Sequence, residues 1–211
     1  MAARFSFVEC RNPSCGFRFP LDLSEHQGKF CPRCAGKLGI AVPQIDQHQP
    51  APLSTTGFCI EVVLDNIRSA HNVGSIFRTA EAVGVDHLYL CGLTPNPKQN
   101  PALAKASLGA ELRVGWSAEN NAVNLVARRK QEGSLIIALE STPTALNIFS
   151  AGKHLHPCRI ILILGSEPAG VDPGLLALSD HTFYIPMSGK KSSLNVSVAF
   201  GIAAYTLLTA S

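Results

Sequence analysis

Short apolar, β-branched runs alternating with helical patterns over residues 58–211 predict an α/β fold, a parallel sheet flanked by helices. Two close cysteine pairs in residues 1–41 predict a small zinc-ribbon module ahead of it, and residues 42–57, rich in Pro, Gln, Ser and Thr, read as a linker. The strands are expected at Phe58–Leu64, His87–Cys91, Leu135–Leu139, Arg159–Leu164 and Thr182–Ile185, each a nearly continuous apolar run bounded by polar or glycine residues. The helices are expected at Val73–Val83, Glu119–Gln131, Pro173–Leu178 and Leu194–Thr209. In such sheets ligands sit beyond the carboxyl ends of the strands, which directs attention to the loops after Leu64, Cys91, Leu139, Leu164 and Ile185.

Composition narrows the class further. The chain has 211 residues, 46% hydrophobic and 16% charged, enough for one core plus a small appendage, and too apolar for a disordered chain. Its 17 Gly and 14 Pro show no fibrous period. The longest apolar stretch, Leu194–Leu208, is interrupted by Asn195, Ser197, Gly201 and Thr206 and falls short of the roughly 20 residues a bilayer needs, so no membrane span is expected. Met1–Glu9 lacks a basic start and an apolar follow-on, so no secretory leader is expected. Together with seven Cys, this predicts a reducing, cytoplasmic setting in which thiols bind metal or fill the core. The net charge of +3 resides in residues 1–40, where six cations face three anions. A basic module points toward a phosphate-rich partner, although a solvated basic face would look the same.

Cys10 and Cys15 are separated by four residues, Cys31 and Cys34 by two, and fifteen residues lie between the pairs. Two such turns can close a tetrahedral thiolate cage around Zn²⁺, and four protein ligands leave no open position, so the metal's role would be structural. The Cys31-Pro32-Arg33-Cys34 turn has no strand-helix-strand setting to support a redox pair. Cys59, Cys91 and Cys158 lie in apolar runs and are expected in the core.

Three polar clusters fall at strand ends. Asp65 to Arg68 leads into Asn72-Val73-Gly74-Ser75-Ile76-Phe77-Arg78, with Asn72 placed as a helix cap and Arg78 facing solvent or an anion. Gly165-Ser166-Glu167-Pro168-Ala169-Gly170 offers two glycines for close backbone approach, and a simple turn would use them too. Ile185-Pro186-Met187-Ser188-Gly189 runs through Lys190-Lys191-Ser192 to Ser193-Leu194-Asn195, where either Ser193 or Asn195 can cap the next helix. Familiar alternatives fail. The phosphate-loop glycine needed five residues before Gly189 is Tyr184, no residue separates Gly165 from Ser166 as a nucleophile elbow requires, and no G-x-G-x-x-G follows a strand.

In order and spacing these clusters resemble the three motifs of the SpoU (TrmH-like) RNA ribose 2′-O-methyltransferases of the SPOUT superfamily: Asn72-x-Gly74-x-x-x-Arg78, Gly165-x-Glu167-x-x-Gly170, and Ile185-Pro186-Met187-x-Gly189 ending in Ser193-Leu194-Asn195-Val196-Ser197. Lys105 to Glu111 is similar to a segment of one branch of that family. The resemblance implies methyl transfer from S-adenosylmethionine to a ribose 2′-hydroxyl of structured RNA (tRNA or rRNA), a C-terminal deep trefoil knot, and a homodimer whose active sites are completed across subunits. It implies catalytic roles for Arg78, Ser193, Asn195, Asn72 and Glu167, with Asn72 holding the arginine and Glu167 organising its loop. It implies cofactor contacts at Gly165, Gly170, Ile185, Met187 and Leu194. A non-catalytic RNA-binding protein on the same fold, or a zinc-ribbon recruitment scaffold, are the competing readings. The first of these would be marked by loss of Arg78, Glu167 or Asn195, and all three residues are present.

Overall fold

The computed structural model describes residues 5–25, 28–43, 51, 57–156 and 158–209. The chain divides into two compact units, Met1–Pro52 and Leu53–Ser211. Most of the expected linker lies outside the described residues.

The first unit is a three-stranded antiparallel sheet in the order β2-β1-β3, formed by β1 (Phe5–Cys10), β2 (Arg18–Asp22) and β3 (Leu38–Pro43). Strand alternation turns Val8 and Cys10 inward, while Phe5, Phe7 and Glu9 share the other face. Cys15 and Cys34 stand on the turns that follow β1 and precede β3.

The second unit is a parallel sheet of seven strands with helices on both faces. Its elements are β4 (Cys59–Asp65), α1 (Ala70–Val83), β5 (His87–Cys91), α2 (Pro101–Ser107), β6 (Gly115–Glu119), α3 (Ala122–Gln131), β7 (Leu135–Leu139), β8 (Leu146–Asn147), β9 (Arg159–Leu164), α4 (Pro173–Leu178), β10 (His181–Tyr184) and α5 (Val196–Leu208). The strand order is β6-β5-β4-β9-β7-β10-β8. Central β4 and β9 are buried on both faces, which explains why they read as unbroken apolar runs. Val62, Leu64, Leu88, Ile160 and Leu162 meet Phe77, Phe200 and Ala204 of α1 and α5. Val63, Cys91, Ile161 and Ile163 meet Leu125, Val126 and Leu175 of α3 and α4.

Several expectations shift. Asn72 does not cap α1. Ser69 does, its hydroxyl accepting the Asn72 N–H at 3.3 Å, and the helix begins at Ala70. The stretch expected to open a helix at Glu119 instead ends an edge strand, β6, and α3 starts after an Asn121 cap. An edge strand that is only half-buried has no apolar run to announce it. Of the three cysteines placed in the core, only Cys91 is fully buried. Cys158 is half-buried, and Cys59 donates its thiol to Asp86 Oδ2 at 3.0 Å.

Gly74 belongs to the first motif for a packing reason. A Cβ there would stand 2.5 Å from the Ala106 Cβ and 2.9 Å from the Leu103 carbonyl oxygen, so α1 and α2 touch backbone to backbone. One polar group inside the sheet is satisfied by a network. The Glu61 carboxylate accepts from the Tyr89 hydroxyl at 2.8 Å and pairs with Arg129 at 3.4 Å, while the Arg129 guanidinium lies 5.3 Å from the Tyr89 ring centre.

Candidate active site

The site is built where β7, β9 and β10 end. Leaving β9, the chain turns back at once: the Gly170 N–H donates to the Ser166 carbonyl at 2.8 Å, and a Cβ on Gly165 would fall 2.3 Å from the Gly170 carbonyl oxygen. Only glycine fits at 165, and Gly170 holds a left-handed φ of 73°. Glu140, one residue past β7, fastens this loop. Its Oε2 accepts the Val171 N–H and its Oε1 the Ser141 N–H, both at 2.9 Å. The Glu140 N–H in turn donates to the Phe183 carbonyl of β10 at 3.0 Å.

The three motifs meet through one hydrogen-bonded chain. Asn72 Nδ2 donates to Glu167 Oε1 at 2.9 Å, and Asn195 Nδ2 donates to Asn72 Oδ1 at 3.0 Å. Asn195 Oδ1 accepts the Ser197 N–H at 2.9 Å and thereby caps α5. The directions are forced, because an ionised carboxylate only accepts, which fixes each amide in sequence. Burial pushes the Glu167 carboxyl up, but the donors Asn72, Arg68 N–H and Ser69 N–H outweigh it and hold it below its ordinary value.

A cavity of about 790 Å³ opens beside this chain. That volume lies within the range of small-molecule and cofactor sites. It is lined by Gly165, Gly170, Ile185, Met187 and Leu194, all five residues expected to touch the cofactor, and by Glu167, Ser193 and Asn195. Asn72 reaches the site through Glu167 and Asn195 rather than by lining the cavity. The further lining residues Leu139, Glu140, Ser141, Tyr184 and Ala199 were not singled out from sequence, although the rule about strand ends pointed to the loop after Leu139.

Arg78 is not brought into the cavity of its own chain. It is exposed on α1, and among the described residues no carboxylate lies within 4.0 Å of it. The Asn72 side chain, expected to hold this arginine, bonds Glu167 and Asn195, and among the described residues no hydrogen bond joins it to Arg78.

In the first unit, the sulfurs of Cys10, Cys15, Cys31 and Cys34 all lie within 4.8 Å of one another, with Cys10 and Cys34 at 3.5 Å and Cys15 and Cys31 at 3.8 Å. A tetrahedral zinc with bonds near 2.3 Å places its sulfurs about 3.8 Å apart. The Arg33 N–H points at Cys31 Sγ, and the four thiols titrate unequally: the Gly36 N–H, with Cys10 and Cys15, lowers the Cys34 pKa, while burial and the neighbouring thiols raise those of Cys10 and Cys15.

Fold and site together define a parallel α/β domain with a cofactor-sized cavity at its strand ends, preceded in the sequence by a four-cysteine module. The family model of the SpoU rRNA Methylase family matches residues 60–205. The chain belongs to the SpoU rRNA Methylase family. It is 33% identical over 144 residues to a tRNA (guanosine(18)-2′-O)-methyltransferase of Aquifex aeolicus, covering 68% of this chain and 66% of that protein. It is 29% identical over 147 residues to a 23S rRNA (guanosine-2′-O-)-methyltransferase of Acinetobacter baylyi, covering 68% of this chain and 57% of that protein. The solved structure of a TrmH/SpoU tRNA modifying enzyme of Aquifex aeolicus superposes with a TM-score of 0.61 at 28% identity, covering 72% of this chain and 74% of that one. The chain thus spans under two thirds of the length of these curated relatives.

The Glu167 pKa carries a testable sign. Because the folded value is lowered from 4.5, the ionised carboxylate stabilises the fold above that pH, and the contribution is lost as pH falls through the lowered value. Thermal melts of the wild type and Glu167→Gln between about pH 3 and 7 should differ most near neutrality and converge in acid. A difference constant across that range would mean that the charge of Glu167 plays no part.

Proposed function

We propose that this protein transfers the methyl group of S-adenosylmethionine to a ribose 2′-hydroxyl of structured RNA, a tRNA or an rRNA. The observation that carries this reading is the convergence of all three motifs on one cavity through the Asn72, Glu167 and Asn195 chain. The named activities of the relatives support it. The cavity fits the cofactor: glycine backbone at 165 and 170 allows close approach, and Ile185, Met187 and Leu194 give it apolar wall. When bound, S-adenosylmethionine supplies an electrophilic methyl group on a sulfonium sulfur.

The chain's own residues must then align the acceptor oxygen and stabilise it as its proton leaves. Asn195 has one Nδ2 hydrogen left after Asn72, and among the described residues the Ser193 hydroxyl has no protein partner, so both are available to orient the ribose. A guanidinium carries only donors, so the role of Arg78 is to grip the adjoining phosphate and stabilise the developing alkoxide rather than to act as a base. That Arg78 does not line the cavity of its own chain supports a homodimer in which it serves the partner's site. We infer further that the 185–195 segment is threaded through the chain as the trefoil knot of the family, a reading supported by the tightly closed turn from Gly165 to Val171 beside it.

The first unit is read as a zinc ribbon with Cys10, Cys15, Cys31 and Cys34 as ligands. The sulfur separations support this, and a metal would supply folding free energy to a unit with little core. Thiols kept for metal fit a reducing, cytoplasmic location. Among the described residues no helix is long and apolar enough to cross a membrane.

Three experiments test the reading. Purified protein incubated with labelled S-adenosylmethionine and RNA, followed by nucleoside mass spectrometry, should yield a 2′-O-methylated ribose. Arg78→Lys should cut turnover by about tenfold or more, the loss of at least roughly 1.4 kcal/mol of transition-state stabilisation. Near-normal turnover in that variant would contradict a bidentate arginine. Elemental analysis should return about one zinc per chain, lost in Cys31→Ser, as a closed four-cysteine cage requires.

A further inference from the structure

Two positive charges stand at the mouth of the cavity. Lys190 and Lys191 lie in the segment between β10 and α5, line the cavity and are exposed. Among the described residues neither has a carboxylate within 4.0 Å. The two acidic side chains that share the lining are engaged elsewhere, Glu140 with the Ser141 and Val171 N–H groups and Glu167 with Asn72 and Arg68.

The chemistry of the two substrates decides what these cations face. A methyl donor with a sulfonium, an ammonium and one carboxylate has a net charge of +1, and two unpaired ammonium groups beside it repel that excess. The acceptor, by contrast, brings a phosphate on each side of every ribose. Lysine suits that partner, because a compact charge on a flexible stem meets phosphate as a point contact without a fixed orientation. The segment is also suitably placed. Gly189, Ser193 and Leu194 of the same stretch line the cavity, while residues 186–195 are all exposed, so one loop presents a face to the donor and a face to the bulk. Lys190 and Lys191 fall between the motif positions Gly189 and Ser193, outside the residues that carry the family resemblance.

We propose that Lys190 and Lys191 bind the backbone phosphates flanking the target ribose and thereby seat the acceptor RNA over the donor cavity. The proposal rests on the RNA methyl-transfer reading, and they act as positioning residues.

The test compares the full chain with K190Q/K191Q and K190R/K191R. RNA affinity is measured by filter binding of bulk tRNA and of rRNA between about 50 and 200 mM salt, and S-adenosylmethionine affinity by calorimetry. The glutamine pair should weaken RNA binding severalfold and flatten the log-log salt slope by about 1.4, or about 0.7 per lost phosphate contact on a single strand. The arginine pair should restore the slope, and the donor dissociation constant should stay within about twofold, since no donor contact is lost. An unchanged salt slope overturns the proposal, as does a loss of donor affinity with the slope intact, which would place the lysines on the donor. A wild type that binds RNA with the lysine-dependent slope yet never methylates it overturns the enzymatic reading while leaving the lysine contact standing. A wild type that methylates RNA with a slope indifferent to the lysines does the reverse.

Discussion

The close passage of Gly165 against Gly170 is the constraint on which the site depends. β9 is an inner strand of the sheet, flanked by β4 and β7. The chain folds back within a few residues of β9, held by the Gly170 to Ser166 hydrogen bond and by Glu140 Oε2, which accepts the Val171 N–H. A side chain at 165 has nowhere to go, so the turn is specified by what the residue lacks. The turn presents Glu167 to Asn72 and leaves room for the segment after β10 to form the far wall. Because Glu140 also bonds backbone of β10 through its own N–H, three strand ends are locked in one register.

Much of this was legible in the sequence for a simple physical reason. Strands buried on both faces must be apolar throughout, so β4, β7 and β9 announced themselves, and polar residues at their ends had no packing role to explain them. The cavity-lining residues of the second and third motifs followed from that. What stayed hidden depended on partners distant in sequence. Asn72 and Ser69 both have side chains that cap helices, and local chemistry cannot choose between them. The choice is made by Glu167, 95 residues away, which claims the Asn72 amide and leaves the cap to Ser69. Glu140 was passed over because a single carboxylate after a strand looks like any solvated charge. β6 was missed because an edge strand needs only one apolar flank.

Arg78 shows a different limit. Its residue type and spacing mark it as chemically important, yet neither places it relative to the cavity. In the folded chain it stands exposed on α1 and is not among the residues that line its own cavity. An arginine that is costly to bury and, among the described residues, has no carboxylate within 4.0 Å is suited to meet an anion supplied from outside. Lys190 and Lys191 at the cavity mouth are alike in this, with no carboxylate within 4.0 Å among the described residues.

The account stands or falls on whether the methyl donor occupies the cavity at the ends of β7, β9 and β10. Hydrogen exchange of the full chain, with and without saturating S-adenosylmethionine, tests this directly, since ligand contacts and restricted opening slow exchange where they act. Protection gained at 139–141, 165–171 and 185–196, with the rest of the sheet unchanged, is the predicted result. Protection centred elsewhere, for example on 119–128 at the start of α3, or none at all in the presence of bound donor, would contradict it.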